Sequence, residues 1–116
     1  MYRALILEDD PAAADGLRIV RLADIAYVEI LKHDLYWHIE GEAEPIRQRG
    51  SLKAAEEELG TQSFCRIAAS HIVNMAHVVR LRSRSVTMSD GSELAISRSR
   101  KAEATEALTR FAGVGA

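Results

Sequence analysis

Apolar residues in this chain recur mostly at every second position, in short runs broken by turn-forming residues. Alternation of that period marks strands with one buried face. "LYWHIE" (35–40) shows it most cleanly, with Leu35, Trp37 and Ile39 on one side. "RIVRL" (18–22) and "IAYVEIL" (25–31) are further strands, and Asp24 starts a turn between them. "PIRQRG" (45–50) reads as the hairpin partner of 35–40, with Pro45 at its first residue, where a missing N–H is tolerated. "SFCRI", "SHIVN", "VVRLR", "SVTMS" and "ELAIS" continue the series, the last two joined through an Asp90-Gly91 hairpin turn. The opening run, Ala4 to Leu7, fits a buried strand docked on a sheet edge, because such a strand left unpaired invites aggregation.

Helical spacing occurs in three places. "PAAADGL" fits a short helix capped by Asp10, with Pro11 in its first turn and its end near Gly16. "SLKAAEEELG" has Ser51 as cap, Leu52, Ala55 and Leu59 on one face, and Gly60 as its stop. From Arg98 onward Ala102, Ala104, Ala107, Leu108 and Phe111 predict a C-terminal helix that frays at "GVG". The fold class predicted is mainly β: elongated antiparallel sheets, one short central helix and a C-terminal helix, because hairpin-length connections cannot make parallel crossovers. Tyr27, Trp37, Phe64 and Phe111 are assigned to the core. If 78–84 is extended, Arg80, Arg82 and Arg84 share one face while Val79 and Leu81 point inward.

Charge sharpens this picture. The net charge is −2, yet residues 1–60 carry 7 basic and 13 acidic side chains, and residues 61–116 carry 8 basic and 4 acidic. A local basic excess on a near-neutral chain suits contact with a polyanion on one surface. One cysteine, Cys65, forms no internal disulfide, no apolar stretch approaches the roughly 18 residues of a membrane span, and the N-terminus lacks a basic-then-apolar leader, so the expectation is a cytoplasmic protein. Four histidines lie at spacings that match no zinc pattern, and no phosphate loop, nucleophile elbow or paired-carboxylate signature occurs. No catalytic residue, metal ligand or cofactor is therefore assigned, and the chain is read as a non-enzyme.

Four blocks in order carry a family resemblance: "ADIAYVEILKHDLYWHIEG", "RGSLKAAEEEL", "FCRIAASHIVNMAHVVRL" and "VTMSDGSELAISRSRKAE". Together they resemble the LytTR DNA-binding domain, the output module of bacterial response regulators, over about residues 18–112. The resemblance implies sequence-specific binding of double-stranded promoter DNA, with loops at strand ends entering successive major grooves and two copies often seated together as a homodimer on DNA. Residues 1–17, "YRALILEDD" onward, resemble the start of a receiver domain, with Asp9 and Asp10 as its acidic pair. The phosphoacceptor segment has no counterpart, so 1–17 is read as a receiver remnant, 18–116 as the DNA-binding domain, and no phosphorylation switch is expected.

Within that frame the candidate DNA contacts are His33, Arg66, Ser70, Arg80, Arg82, Arg98, Arg100 and Lys101. His33 matches a base-contacting loop position, and imidazole can donate to or accept from a base edge. Arg66 and Ser70 are read as phosphate contacts, as is at least one of Arg80, Arg82 and Arg84. Arg98, Arg100 and Lys101 open the last helix, whose free N–H groups favour anions. Four positions depart from the family pattern, one of them Ser99, which turns the usual Ser-Arg-Arg into Ser97-Arg98-Ser99-Arg100 and moves the second arginine one place on. Ala68 and Ala69 stand where relatives carry base-reading side chains, and His71 replaces the usual tyrosine or phenylalanine as a core-facing aromatic. Asn74 is read as a turn cap. The rival to DNA binding is an interaction or dimerisation fragment that has lost its promoter.

Overall fold

The structure, a computed structural model, describes residues 3–8 and 16–113, apart from the side chain of Leu5. The expected helix over 10–16, with its Asp10 cap, and the acidic pair Asp9–Asp10 lie outside the described residues.

Three antiparallel sheets and two α-helices make up the fold. A five-stranded sheet in the order β5-β4-β3-β7-β6 stands in the middle. Its strands are β3 (Ile25–Leu31), β4 (Asp34–Ile39), β5 (Ile46–Arg49), β6 (Phe64–Ala68) and β7 (His71–Asn74). A two-stranded ribbon of β1 (Arg3–Glu8) and β2 (Gly16–Arg21) and the helix α1 (Leu52–Leu59) cover one face. A three-stranded sheet of β8 (Val78–Leu81), β9 (Ser85–Met88) and β10 (Glu93–Ala95), with α2 (Lys101–Phe111), covers the other. The molecule is elongated, 46 × 27 × 26 Å.

Two apolar layers follow from this stacking. Ile25, Val28, Leu35, Trp37, Ile46, Phe64 and Ile72 pack against Ala4, Ile6 and Val20 of the ribbon and against Leu52, Ala55 and Leu59 of α1. Tyr27, Ile67 and Val73 pack against Val86, Met88, Ile96, Ala104 and Leu108. A β-bulge at Ala26 lets β3 serve both layers, since one extra residue resets which side chains face which way. The N-terminal strand is docked as expected, though on β2 and not on the central sheet, in register from Arg3↔Arg21 to Glu8↔Gly16.

The predicted turn chemistry is present. Ser51 Oγ accepts from the Ala54 N–H at 3.1 Å, and Gly60 ends α1 at φ +74°. The turn of Asp90 and Gly91 closes through Met88 N–H to Ser92 O, with Gly91 at φ +92°. Asn74 caps the 3₁₀ turn Met75–His77 and does more than that. Its buried amide accepts from Ser63 Oγ and Ala76 N–H and donates to Leu22 O and Ile25 O, which pins β7 to the start of β3.

Two expectations are corrected. Residues 78–84 are not one extended segment: β8 ends at Leu81, and a bulge at Val79 shifts its register from Val78↔Met88 to Arg80↔Thr87. Val79, the unpaired extra residue, is 65% exposed, and Leu81, level with buried Val86, is 37% exposed because β8 is a sheet edge. Arg80 and Arg82 therefore stay together beside Glu93, while Arg84 leaves that face for the β8–β9 turn. Phe111 is the second correction. It is 44% exposed, because Ala104 and Leu108 fill the space under α2 and the last turn runs out beside the β8 edge. Tyr27, Trp37 and Phe64 are core residues as expected.

Candidate nucleic-acid interface

Hydrogen bonds between turns gather one end of the molecule into a continuous surface. The two-residue turn Lys32–His33 joins β3 to β4, with Lys32 at φ +61°, and the Gly50 N–H at the end of β5 donates to His33 O at 3.1 Å. Ile30 N–H donates to Ser70 O at 3.0 Å and ties the β6–β7 turn alongside. A bulge at Ile67 buries that side chain and leaves its carbonyl to accept from Ser97 N–H at 2.8 Å, which joins the second sheet to the first. Ile96 N–H donates to Arg84 O at 2.8 Å, so the β8–β9 turn lies beside the segment leading into α2.

This end is basic. It carries Lys32, His33, Arg49, Arg66, Arg84, Arg98 and Lys101, against Asp34, whose carboxylate pairs with Arg47 at 3.2 Å. Arg84, Arg98 and Lys101 line a hollow of about 210 Å³ together with Ser83 and Ile96. No acid stands within salt-bridge distance of those three cations among the described residues. Arg98–Arg100 form a 3₁₀ turn that leads straight into α2, so the first free N–H groups of the helix lie next to the hollow. The opposite end is acidic. Asp24, the β4–β5 turn with Glu40, Glu42 and Glu44, and the β9–β10 turn with Asp90 are held there by Glu40 N–H to Asp24 O and Ser89 N–H to His77 O. Arg18, paired with Glu42, Arg21, paired with Asp24, and Arg3, level with Arg21, offset part of that charge. The Asp90 carboxyl lies below its ordinary range, chiefly because it accepts from the Ser92 backbone N–H at 2.8 Å.

The expected contact residues divide by place. His33, Ser70, Arg98 and Lys101 lie on the basic end. Arg66 lies there too, but its guanidinium is occupied: it donates to Ala68 O (3.3 Å) and Ala69 O (2.9 Å) and pairs with Glu56 (3.3 Å). Arg100 is partly buried beside α2. Arg80 stands in a row with Thr87 and Glu93 across the three-stranded sheet, and Arg82 pairs with Glu93 at 3.5 Å. Lys32 was not singled out from the sequence, and Arg84 was weighed only as a strand residue; both depend on turns whose limits no alternation reveals. Ala68 and Ala69 form the lip of the β6–β7 turn with no polar side chain to offer.

Comparison with known proteins bears directly on this arrangement. The family model of the LytTr DNA-binding domain matches residues 15–109. The chain belongs to the LytTR DNA-binding domain family. A solved LytTr DNA-binding domain from Bacillus cereus, of a chain described as a methyl-accepting/DNA response regulator, superposes with a TM-score of 0.76 at 22% identity, covering 93% of this chain and 97% of that one. That likeness shows the fold. Comparison with curated proteins gives no match. Among the described residues no helix is long and apolar enough to cross a membrane, and no group of three side chains is placed to hold a metal ion.

Proposed function

We propose that this chain reads specific double-stranded promoter DNA for a response-regulator-type transcription factor, and that it does so through its basic end. The observation that carries this reading is the hollow of Arg84, Arg98 and Lys101, three cations without a salt bridge among the described residues, beside turns that bear His33 and Ser70. Arg98 and Lys101 hold phosphates, Arg84 joins them, and His33 and Ser70 reach into or along the groove. Arg80 and Arg82 lie on the adjoining sheet face and make outlying phosphate contacts, while Arg100 supports the turn ahead of α2. Arg66 shapes the β6–β7 turn from behind. With alanine at 68 and 69, much of the specificity comes from duplex shape, because alanine can touch only a thymine methyl. Residues 1–17, on this reading, descend from a receiver start whose strand now completes the ribbon; the chain takes no phosphoryl group, and a phosphodonor assay giving stoichiometric aspartyl phosphate would contradict that.

The test is selection of a site from random duplexes, followed by binding at rising salt. Each neutralised phosphate contributes about 0.9 to the slope of log K against log salt. Replacing Arg84, Arg98 and Lys101 with glutamine together lowers that slope by about 2.7, and weakens binding at the lowest salt most. An unchanged slope refutes the assignment of these three. The rival reading, an interaction fragment without DNA binding, draws on the exposed Leu7, Leu17 and Ile19 of the ribbon's outer face. It stands if no duplex is retained at low salt while the chain self-associates in sedimentation.

A further inference from the structure

A cluster on the other face of the central sheet touches the basic end without belonging to it. Glu29 on β3 lies level with His71 on β7 and one pair away from Tyr27 and His38. Glu29 Oε2 meets His38 Nε2 at 2.6 Å, and Oε1 lies 3.7 Å from His71 Nε2. His38 stacks on Tyr27 at a centroid distance of 4.1 Å. The second nitrogen of His71, Nδ1, lies 2.8 Å from Ser70 Oγ. Ser70 sits in the β6–β7 turn, whose backbone is fixed from both sides by Ile30 N–H and by Arg66.

The proton positions follow from this geometry. Neutral imidazole carries one N–H, and the carboxylate oxygen facing Nε2 favours the proton there. Nδ1 is then an acceptor, so the Ser70 hydroxyl hydrogen points inward to it. When the ring takes a second proton, Nδ1–H becomes a donor. Ser70 Oγ must now accept, and its own hydrogen is turned away from the ring.

We propose that His71 is a proton-operated switch on the Ser70 hydroxyl, in which the neutral ring holds the hydroxyl hydrogen inside and the imidazolium releases it to a phosphate oxygen of bound DNA. This rests on the DNA-binding reading above and deepens it: the residue that replaces an aromatic of the family pattern links binding to proton uptake. Charges around the ring set its range. Glu29, from β3, favours the imidazolium, and His38, from β4, opposes it. Tyr27, also from β3, lies 6.5 Å away, and Asp90, from the β9–β10 turn, is one of the charges near His38. Arg66, from β6, turns to the opposite face of the sheet, toward Glu56. Burial outweighs the help from Glu29 and holds His71 below its ordinary value, so the free protein at neutral pH carries the neutral ring. A phosphate brought to Ser70 adds negative potential and draws the proton in. Affinity therefore rises as pH falls, by at most about tenfold per pH unit for one proton.

The experiment measures binding of the selected duplex by fluorescence anisotropy at constant ionic strength from about pH 8 to 5.5, in a His33→Gln background that removes the exposed imidazole of the basic end. Affinity is expected to rise at least about threefold between about pH 7.5 and 6. Ser70→Ala, a change in an ordered turn that spares the core, removes that rise, and His71→Phe does the same while keeping an aromatic ring. In the free chain, nitrogen NMR of His71 shows the neutral ring protonated on Nε2. A neutral ring protonated on Nδ1, or a pH slope that survives Ser70→Ala, overturns the switch. Binding that is strong but independent of pH overturns the switch alone, whereas no binding at any pH overturns the DNA-binding reading and the switch with it.

Discussion

Arg66 separates a residue that shapes the reading surface from one that touches DNA, and Arg66→Met tests the distinction. Methionine keeps the aliphatic stem and removes the guanidinium. Three interactions go: the bonds to Ala68 O and Ala69 O and the pair with Glu56. The 2.9 Å bond to Ala69 O is the strongest, and a hydrogen bond from a charged donor contributes about 1.5–3 kcal/mol when buried. Both it and the ion pair must be discounted, because Ala69 is exposed and Glu56 is 38% exposed, which leaves the pair worth under about 1 kcal/mol. The expected cost is about 2 kcal/mol, a sizeable part of the 5–15 kcal/mol typical of a domain. Urea unfolding followed by Trp37 fluorescence reads it as a lower midpoint with an unchanged m-value. Loosening the β6–β7 turn weakens DNA binding several-fold at every salt concentration, but the salt slope stays the same, since no phosphate contact is lost. A slope reduced by about 0.9 together with unaltered stability would falsify the reasoning: the guanidinium would then be leaving the turn carbonyls for a phosphate.

Two further outcomes follow from the same bonds. Asn74→Ala strands the buried carbonyl of Ile25 and releases the part-buried bonds to Leu22 O, Ser63 Oγ and Ala76 N–H, so stability falls by about 2–3 kcal/mol in the same urea assay, and a loss below about 1 kcal/mol contradicts the four-bond account. Asp90→Asn keeps the turn's acceptor and removes its charge. Because the folded carboxyl is depressed below its unfolded value of about 3.9, its stabilisation is fully present above that value and is lost as pH falls through the folded one. The variant is thus less stable than the parent at pH 5 to 7, and the difference shrinks as pH falls into strong acid, as read by thermal midpoints across pH; a difference that persists unchanged there contradicts the cause given.

Strand β4 shows what alternation can reveal: Leu35, Trp37 and Ile39 are buried at every second position, with no bulge to disturb the count. Strand β8 shows where it fails. "VVRLR" has the same pattern on paper, but one extra residue at Val79 resets the register, and the edge position exposes what the pattern would bury. Phe111 failed for a related reason, since helical spacing tells which residues share a stripe but not how far the neighbouring sheet extends. The basic character of the second half is legible in the sequence, but which of its cations the fold leaves unpaired is not. Arg66 looks like any cation in a string of letters, and only the folded turn shows its guanidinium occupied by carbonyls. The Glu29–His38–His71 cluster was invisible because its members lie 9 and 42 positions apart and meet only through the pairing of β3 with both β4 and β7.

The separation of cations at one end from carboxylates at the other has a consequence for the approach to a duplex. A body of net charge −2 is repelled by a polyanion when far away and should associate slowly. Set at opposite ends of the central strands, however, the two poles form an electric dipole, and within a few Debye lengths, each about 8–10 Å in cellular salt, the field of the duplex exerts a torque that swings the cationic pole forward. Encounters are then pre-oriented. On the proposed reading the carboxylates of the far pole stand away from the nucleic acid and speed productive collision by discouraging arrival the wrong way round.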